Sequence, residues 1–207
     1  MRETSATWTL WALRVVRNGL PAALTVWYLT FVYDAVRSGW SKTLLLVQLC
    51  ILAVLFLFRQ DPVRVSWRPD HVFFALFGTF GPFLLGYVAR SPSLELPIGV
   101  AMQASGLVLA LIGLVSLNRS FGIVPANRGV KTTGLYRFVR HPIYAAYQLL
   151  HVGYVVNHPT PEAGLIVTLT LTAQMARVLN EEAVLQEDPE YQAYMQQVRY
   201  RLLPPLF

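Results

Sequence analysis

Uncharged apolar runs alternate with short polar segments along most of the chain. Residues 18–33 carry no charge, and the helix they imply begins as early as Thr9, with Pro21 as a kink. Further runs cover 43–58, 71–89, 98–117, 142–158 and 160–180. Several of the uncharged runs approach the ~20 residues that a helix needs to cross a bilayer. The third run is loosened by Gly78, Gly81-Pro82 and Gly86, the fourth is the cleanest, and the fifth is short. Between them, 34–42 and 90–97 are short connections, 59–70 is a loop with two prolines, and 118–141 is the longest polar segment. The turn Asn157-His-Pro-Thr-Pro161 is tight, so the fifth and sixth runs form an antiparallel hairpin. The tail, 181–207, reads as amphipathic and ends after Pro204-Pro205. The pattern predicts an all-α, polytopic integral membrane bundle of about five to six transmembrane helices, in two parts: N-terminal membrane helices over 1–117 and a core over 118–207.

Composition agrees. The chain is 55% hydrophobic and 14% charged, where a soluble domain carries roughly 25% charged residues. The net charge of +6 raises nucleic acid as a partner, but no basic, aromatic-interleaved surface is present to bind it. Topology explains the excess better. With both termini, 59–70 and 118–141 on one side, only Arg37, Lys42 and Arg90 of the 17 basic residues remain on the other. The positive-inside rule makes the first side cytoplasmic. No small-residue cleavage site follows the N-terminal basic residues, so the first run reads as a retained helix. Cys50, the single cysteine, excludes an internal disulfide. No cluster has metal-ligand spacing, and no glycine-rich phosphate loop follows a strand.

The chemistry concentrates at Gly134-Leu-Tyr-Arg-Phe-Val-Arg-His-Pro-Ile-Tyr144. Pro142 fits the first turn of a helix, where no backbone donor is needed, and pushes His141 out of helical geometry. Arg140 and His141 therefore stand at a fixed corner at a helix mouth. Exposed N–H groups and the positive dipole end are expected there, a setting for an anion. The hairpin returns the end of the sixth run to this corner, bringing Arg177, Glu181 and Glu182. Arg177 and Glu181, four apart, share one helix face. Ionisable groups at the end of an apolar helix are costly unless paired or functional. Arg140, His141, Arg177, Glu181 and Glu182 are thus expected to converge on one cytosolic pocket, with Tyr136, Tyr144 and Tyr147 as flat surface. His151 reads as a buried, hydrogen-bonded core residue, and His158 as a solvated turn residue. Such a pocket suits a cofactor or an amphipathic ligand of mixed charge.

The same residues carry a resemblance. Gly134-x-Tyr136-x-x-Val139-Arg140-His141-Pro142-x-Tyr144, then Arg177-x-x-x-Glu181-Glu182, resembles the isoprenylcysteine carboxyl methyltransferase family and its phospholipid methyltransferase relatives. Asn118-Arg-Ser-Phe-Gly122, Tyr191-x-x-Tyr194 and Arg201-Leu-Leu-Pro204 extend it, so that it covers roughly 105–207. The segment 123–133 departs, lacking the usual His- or Glu-rich stretch. The resemblance implies a membrane enzyme using S-adenosyl-L-methionine, with a lipophilic substrate entering from the bilayer. Gly134, Tyr136, His141, Pro142 and Tyr144 would line the cofactor site, and Glu181 or Glu182 would hold its polar groups. Tyr191, Tyr194 and Arg201 would close the pocket. Arg177 and Arg140 would face the reacting group, and an amine acceptor would need Glu181 or Glu182 as a base. Two other readings stand beside it: a membrane reductase using a nicotinamide cofactor, and a non-catalytic helical membrane protein.

Overall fold

The computed structural model describes residues 64–88, 93–117, 120 and 122–205, with isolated positions between 23 and 62. The first predicted run apart from Ala23, most of the second, and Asn118, Arg119 and Phe121 of the upstream motif lie outside the described residues. What is described is mostly helical. β1 (Arg64–Val65) precedes α1 (Pro69–Phe80), α2 (Phe83–Val88) and α3 (Pro97–Leu117); β2 (Ala126–Asn127) and a 3-10 turn (Gly134–Arg137) follow. α4 (Pro142–Asn157), α5 (Pro161–Leu185) and α6 (Pro189–Gln197) complete the order.

Prolines open five of these helices, and capping side chains reinforce two of them. Thr160 accepts from the Ala163 N–H at the start of α5, and Asp188 from the Glu190 N–H at α6, each satisfying a donor the first turn leaves free. The predicted third run does not form one helix. Pro82 has no N–H to continue the ladder, so the chain turns at Gly81-Pro82 and restarts as α2. The sixth run extends past its predicted end at 180 to Leu185, which takes Glu181 and Glu182 out of the tail and into α5.

α3 is 21 residues of uncharged sequence, about 31 Å at the α-helical rise and close to the ~30 Å hydrocarbon core. Among the described residues it is the one helix long and apolar enough to cross a membrane; α4, at 16 residues, falls short. One side of α3 exposes Ile98, Val108, Ile112 and Val115. The opposite side carries Gly99, Gly106 and Gly113 at a spacing of seven and lies against α4. A Cβ on Gly106 would stand 2.7 Å from the Ala146 carbonyl oxygen, and one on Gly113 2.8 Å from Ile143 Cγ1. The missing side chains let two backbones approach, as helices in lipid need when no hydrophobic force joins them. α1 lies on α5, with Gly78 against Ala173 and Gln174.

The polar segments meet at one end. β1 and β2 form an antiparallel ribbon, Arg64 opposite Asn127 and Val65 opposite Ala126, a small exception to an all-α reading. Arg64 pairs with Glu187, and Asn127 Nδ2 donates to Asp188 at 2.7 Å. The tail doubles back: the N–H groups of Arg140 and His141 donate to the carbonyls of Tyr200 and Arg201, at 2.9 and 2.8 Å. Hence the described parts of these segments, 64–65, 126–127 and 140–141, meet the tail and the end of α5. Two of the N–H groups expected free at the α4 mouth, those of Arg140 and His141, are however spent on the tail. At the other end His158, read from sequence as solvated, is fully buried with its ring 4.2 Å from that of Tyr154. The tight turn folds it inward over its own helix.

Candidate functional site

A cavity of about 140 Å³ opens at the polar end between α4 and α5. Its α4 wall is the stripe His141, Tyr144, Tyr147 and His151; its α5 wall is Gln174, Arg177, Glu181 and Leu185. Steps of three and four residues keep each set on one helix face. The hairpin sets the two stripes face to face, and the Tyr144 hydroxyl donates to Glu181 Oε1 at 2.5 Å.

Arg177 is buried and held at three points. Nε donates to Glu181 Oε1 at 3.2 Å, Nη1 to Thr79 Oγ1 at 2.7 Å and Nη2 to the Gly122 carbonyl at 2.7 Å. Its guanidinium also lies 5.2 Å from the Tyr144 ring centre, within cation–π range. One side chain thus ties α1, the loop before β2 and α5 together at the cavity edge.

The adjacent carboxylates have different surroundings. Glu181 lines the cavity. Glu182, 1% exposed, faces the other way and gathers three basic groups. His141 Nε2 lies 3.2 Å from its Oε1, and Arg201 Nε donates to Oε2 at 2.8 Å. Arg140 Nε stands 3.0 Å from Oε1 without the alignment of a hydrogen bond. Burial works to raise the Glu182 pKa, but the bonds from His141 and Arg201 and the nearby Arg140 charge outweigh it and hold the carboxyl below its ordinary value. A buried carboxylate with several partners is a structural knot, because losing one partner leaves charge uncompensated.

Aromatic residues close the other walls. Tyr136, Tyr191 and Tyr194 line the cavity with Tyr144 and Tyr147. The Tyr194 hydroxyl donates to the Tyr136 carbonyl at 2.6 Å, while the buried Tyr191 hydroxyl has no protein partner. Burial pushes the Tyr136, Tyr191 and Tyr194 hydroxyls above their ordinary range, so they stay protonated donors.

Of the residues singled out from sequence, Tyr136, Arg140, His141, Tyr144, Arg177, Glu181, Tyr191 and Tyr194 stand on the cavity wall. Glu182 and Arg201 sit behind it. Pro142 is buried at the first turn of α4. Gly134 takes φ +62 at the start of the 3-10 turn, where a Cβ would strike Ser116 at the end of α3; it shapes the turn. Sequence reasoning missed Gly78 and Thr79 of α1, Arg128 and Lys131 of the loop, and Gln174. The helix period beyond Arg177 pointed to Gln174, and beyond Tyr144 to His151. Nothing local announced the α1 residues, which arrive through packing. Among the described residues no group of His, Cys, Asp or Glu has metal-binding geometry.

The family model of phospholipid methyltransferase matches residues 94–191. That stretch is similar to the phospholipid methyltransferase family. It spans α3 to the start of α6 and contains both the Arg-His-Pro corner and the Arg177–Glu182 motif. The resemblance carried by those two motifs is borne out at the level of this methyltransferase family. No curated protein matches the chain.

Proposed function

We propose that the protein is an integral membrane methyltransferase that uses S-adenosyl-L-methionine to methylate a lipophilic or lipid-linked acceptor. The observation that carries this reading is the meeting of the two motifs of a methyltransferase family on one cavity, with Tyr144 of the first bonded to Glu181 of the second.

The cavity's donor set suits the cofactor. Glu181 offers a carboxylate for an ammonium or ribose hydroxyls. The tyrosine faces suit adenine and a sulfonium, which binds aromatic surface as other cations do. Tyr191 has a buried hydroxyl without a partner, as a wall built for a polar ligand does. When bound, the cofactor supplies an electrophilic methyl group on a sulfonium. The protein's part is alignment and exclusion of water, which displacement at carbon needs more than strong acid or base. His141, Tyr144 and Glu181 would hold the cofactor, and the tail over Arg140 and His141 would close it in. The acceptor would enter from the bilayer along α3 and α4. The cavity end and both termini would face the cytoplasm, by the distribution of basic residues.

Equilibrium binding of radiolabelled S-adenosyl-L-methionine to detergent-purified protein tests this, with reduced nicotinamide dinucleotide in parallel. Retention of the first and not the second is expected. Retention of the nicotinamide alone would establish the reductase reading, and retention of neither a non-catalytic one.

A further inference from the structure

Two buried polar residues on the cavity wall are left short of partners. His151 is 1% exposed, and neither ring nitrogen has a hydrogen-bond partner. Gln174 is 1% exposed; its Nε2 donates to the Gly78 carbonyl at 3.3 Å, and its Oε1 has no partner. The assignment of that amide is chemical: a carbonyl only accepts, so the nitrogen faces Gly78 and the oxygen is the unpaired end. Each buried group left unpaired costs ~1–3 kcal/mol, which a fold tolerates where a ligand completes the bonds.

The two residues stand at one level. Tyr144 and Glu181 join α4 to α5. His151 lies seven residues beyond Tyr144, and Gln174 seven before Glu181. On helices running in opposite directions, equal steps stay level, here two turns or about 10 Å farther in. The cavity thus has a charged outer part at Arg177 and Glu181, and a neutral inner part at His151 and Gln174.

We propose that His151 and Gln174 form the acceptor subsite, that it takes a proton-bearing nucleophile, a neutral amine or thiol, and that His151 receives its proton. The proposal rests on the methyltransferase reading. A carboxylate brings only acceptor atoms and would leave Gln174 Oε1 unpaired; a head with a proton satisfies it. The acceptor's lone pair forms the new bond to the methyl carbon, and the S–C electron pair stays with sulfur, leaving a neutral thioether. The acceptor's proton passes to a ring nitrogen of His151. One positive charge is lost at sulfur and one gained on the imidazole, so no net charge is created in a medium of low dielectric.

The test uses purified protein, tritiated S-adenosyl-L-methionine, and dodecylamine, dodecanethiol and dodecanoate as acceptors. The amine or the thiol should be methylated and dodecanoate should not. His151→Phe should lower that turnover about 100-fold or more, as loss of a general base does, with S-adenosylhomocysteine affinity unchanged. Without acceptor, the same variant should melt at or above the wild-type temperature, because an unpaired buried imidazole is gone. Methylation of dodecanoate alone, or of none of the three by protein that binds S-adenosylhomocysteine, overturns the proposal. So does a His151→Phe protein that keeps its turnover, loses cofactor affinity or melts lower. Wild-type protein that binds no S-adenosylhomocysteine overturns the methyltransferase reading and this proposal with it.

Discussion

His141 Nε2 lies 3.2 Å from Glu182 Oε1, although 41 residues separate them in the chain. Glu182 therefore fastens the mouth of α4 to α5, and through Arg201 it fastens the tail as well. Glu181, one residue earlier, faces the cavity and Tyr144. The pair divides between holding the fold and meeting a ligand.

Substituting the two in parallel separates these roles. Glu182→Gln removes the charge that Arg140, His141 and Arg201 surround, and should cost about 3 kcal/mol or more of stability, read as a lower melting temperature. Glu181→Gln should melt closer to wild type than Glu182→Gln does, and bind S-adenosyl-L-methionine more weakly by equilibrium dialysis. The reverse pattern would exchange their assignments.

Acid should act through Glu182. Its folded pKa lies below the ordinary value of 4.5, so the unfolded chain binds the proton more readily. That contribution to stability is complete above pH 4.5 and is lost as pH falls through the folded value. The melting temperature should drop on acidification below that point, and the Glu182→Gln protein should show a smaller drop.

Arg177→Lys keeps the charge and loses the planar fork. One ammonium cannot reach Thr79, Gly122 and Glu181 together as the guanidinium does. Turnover should fall more than cofactor affinity, with a modest loss of thermal stability. Steady-state kinetics beside a melting curve checks both, and wild-type turnover would remove Arg177 from the reaction.

Gly106→Val tests the packing of α3 on α4. Its Cβ would meet the Ala146 carbonyl at 2.7 Å, backbone that cannot step aside. Overpacking of this kind costs typically ~1–3 kcal/mol. The variant should melt lower and show weaker cofactor binding through displacement of α4, whereas Gly164→Ala, with open space around it, should leave both unchanged.

The apolar runs were enough to locate α3, α4 and the start of α5, because a lipid-facing or core helix must be apolar over its whole length. The Pro142 break and the tight 158–160 turn were likewise local facts. The boundaries that failed were those where two runs met a special residue. Pro82 ended α1 by removing a backbone donor, and the polar end of α5 continued because Glu181 and Glu182 found partners across the cavity.

By itself, the sequence determined that helices dominate, that the fifth and sixth runs fold back, and that Arg140, His141, Arg177, Glu181 and Glu182 gather at one end. Periodicity and proline chemistry act over a few residues and are written in them. The tertiary structure alone decided that Glu181 faces the cavity while Glu182 turns away, that the tail occupies the N–H groups of Arg140 and His141, and that His151 stands unpaired beside a cavity. Those outcomes depend on which backbone or side chain arrives from a distant part of the chain, and no local pattern carries that information.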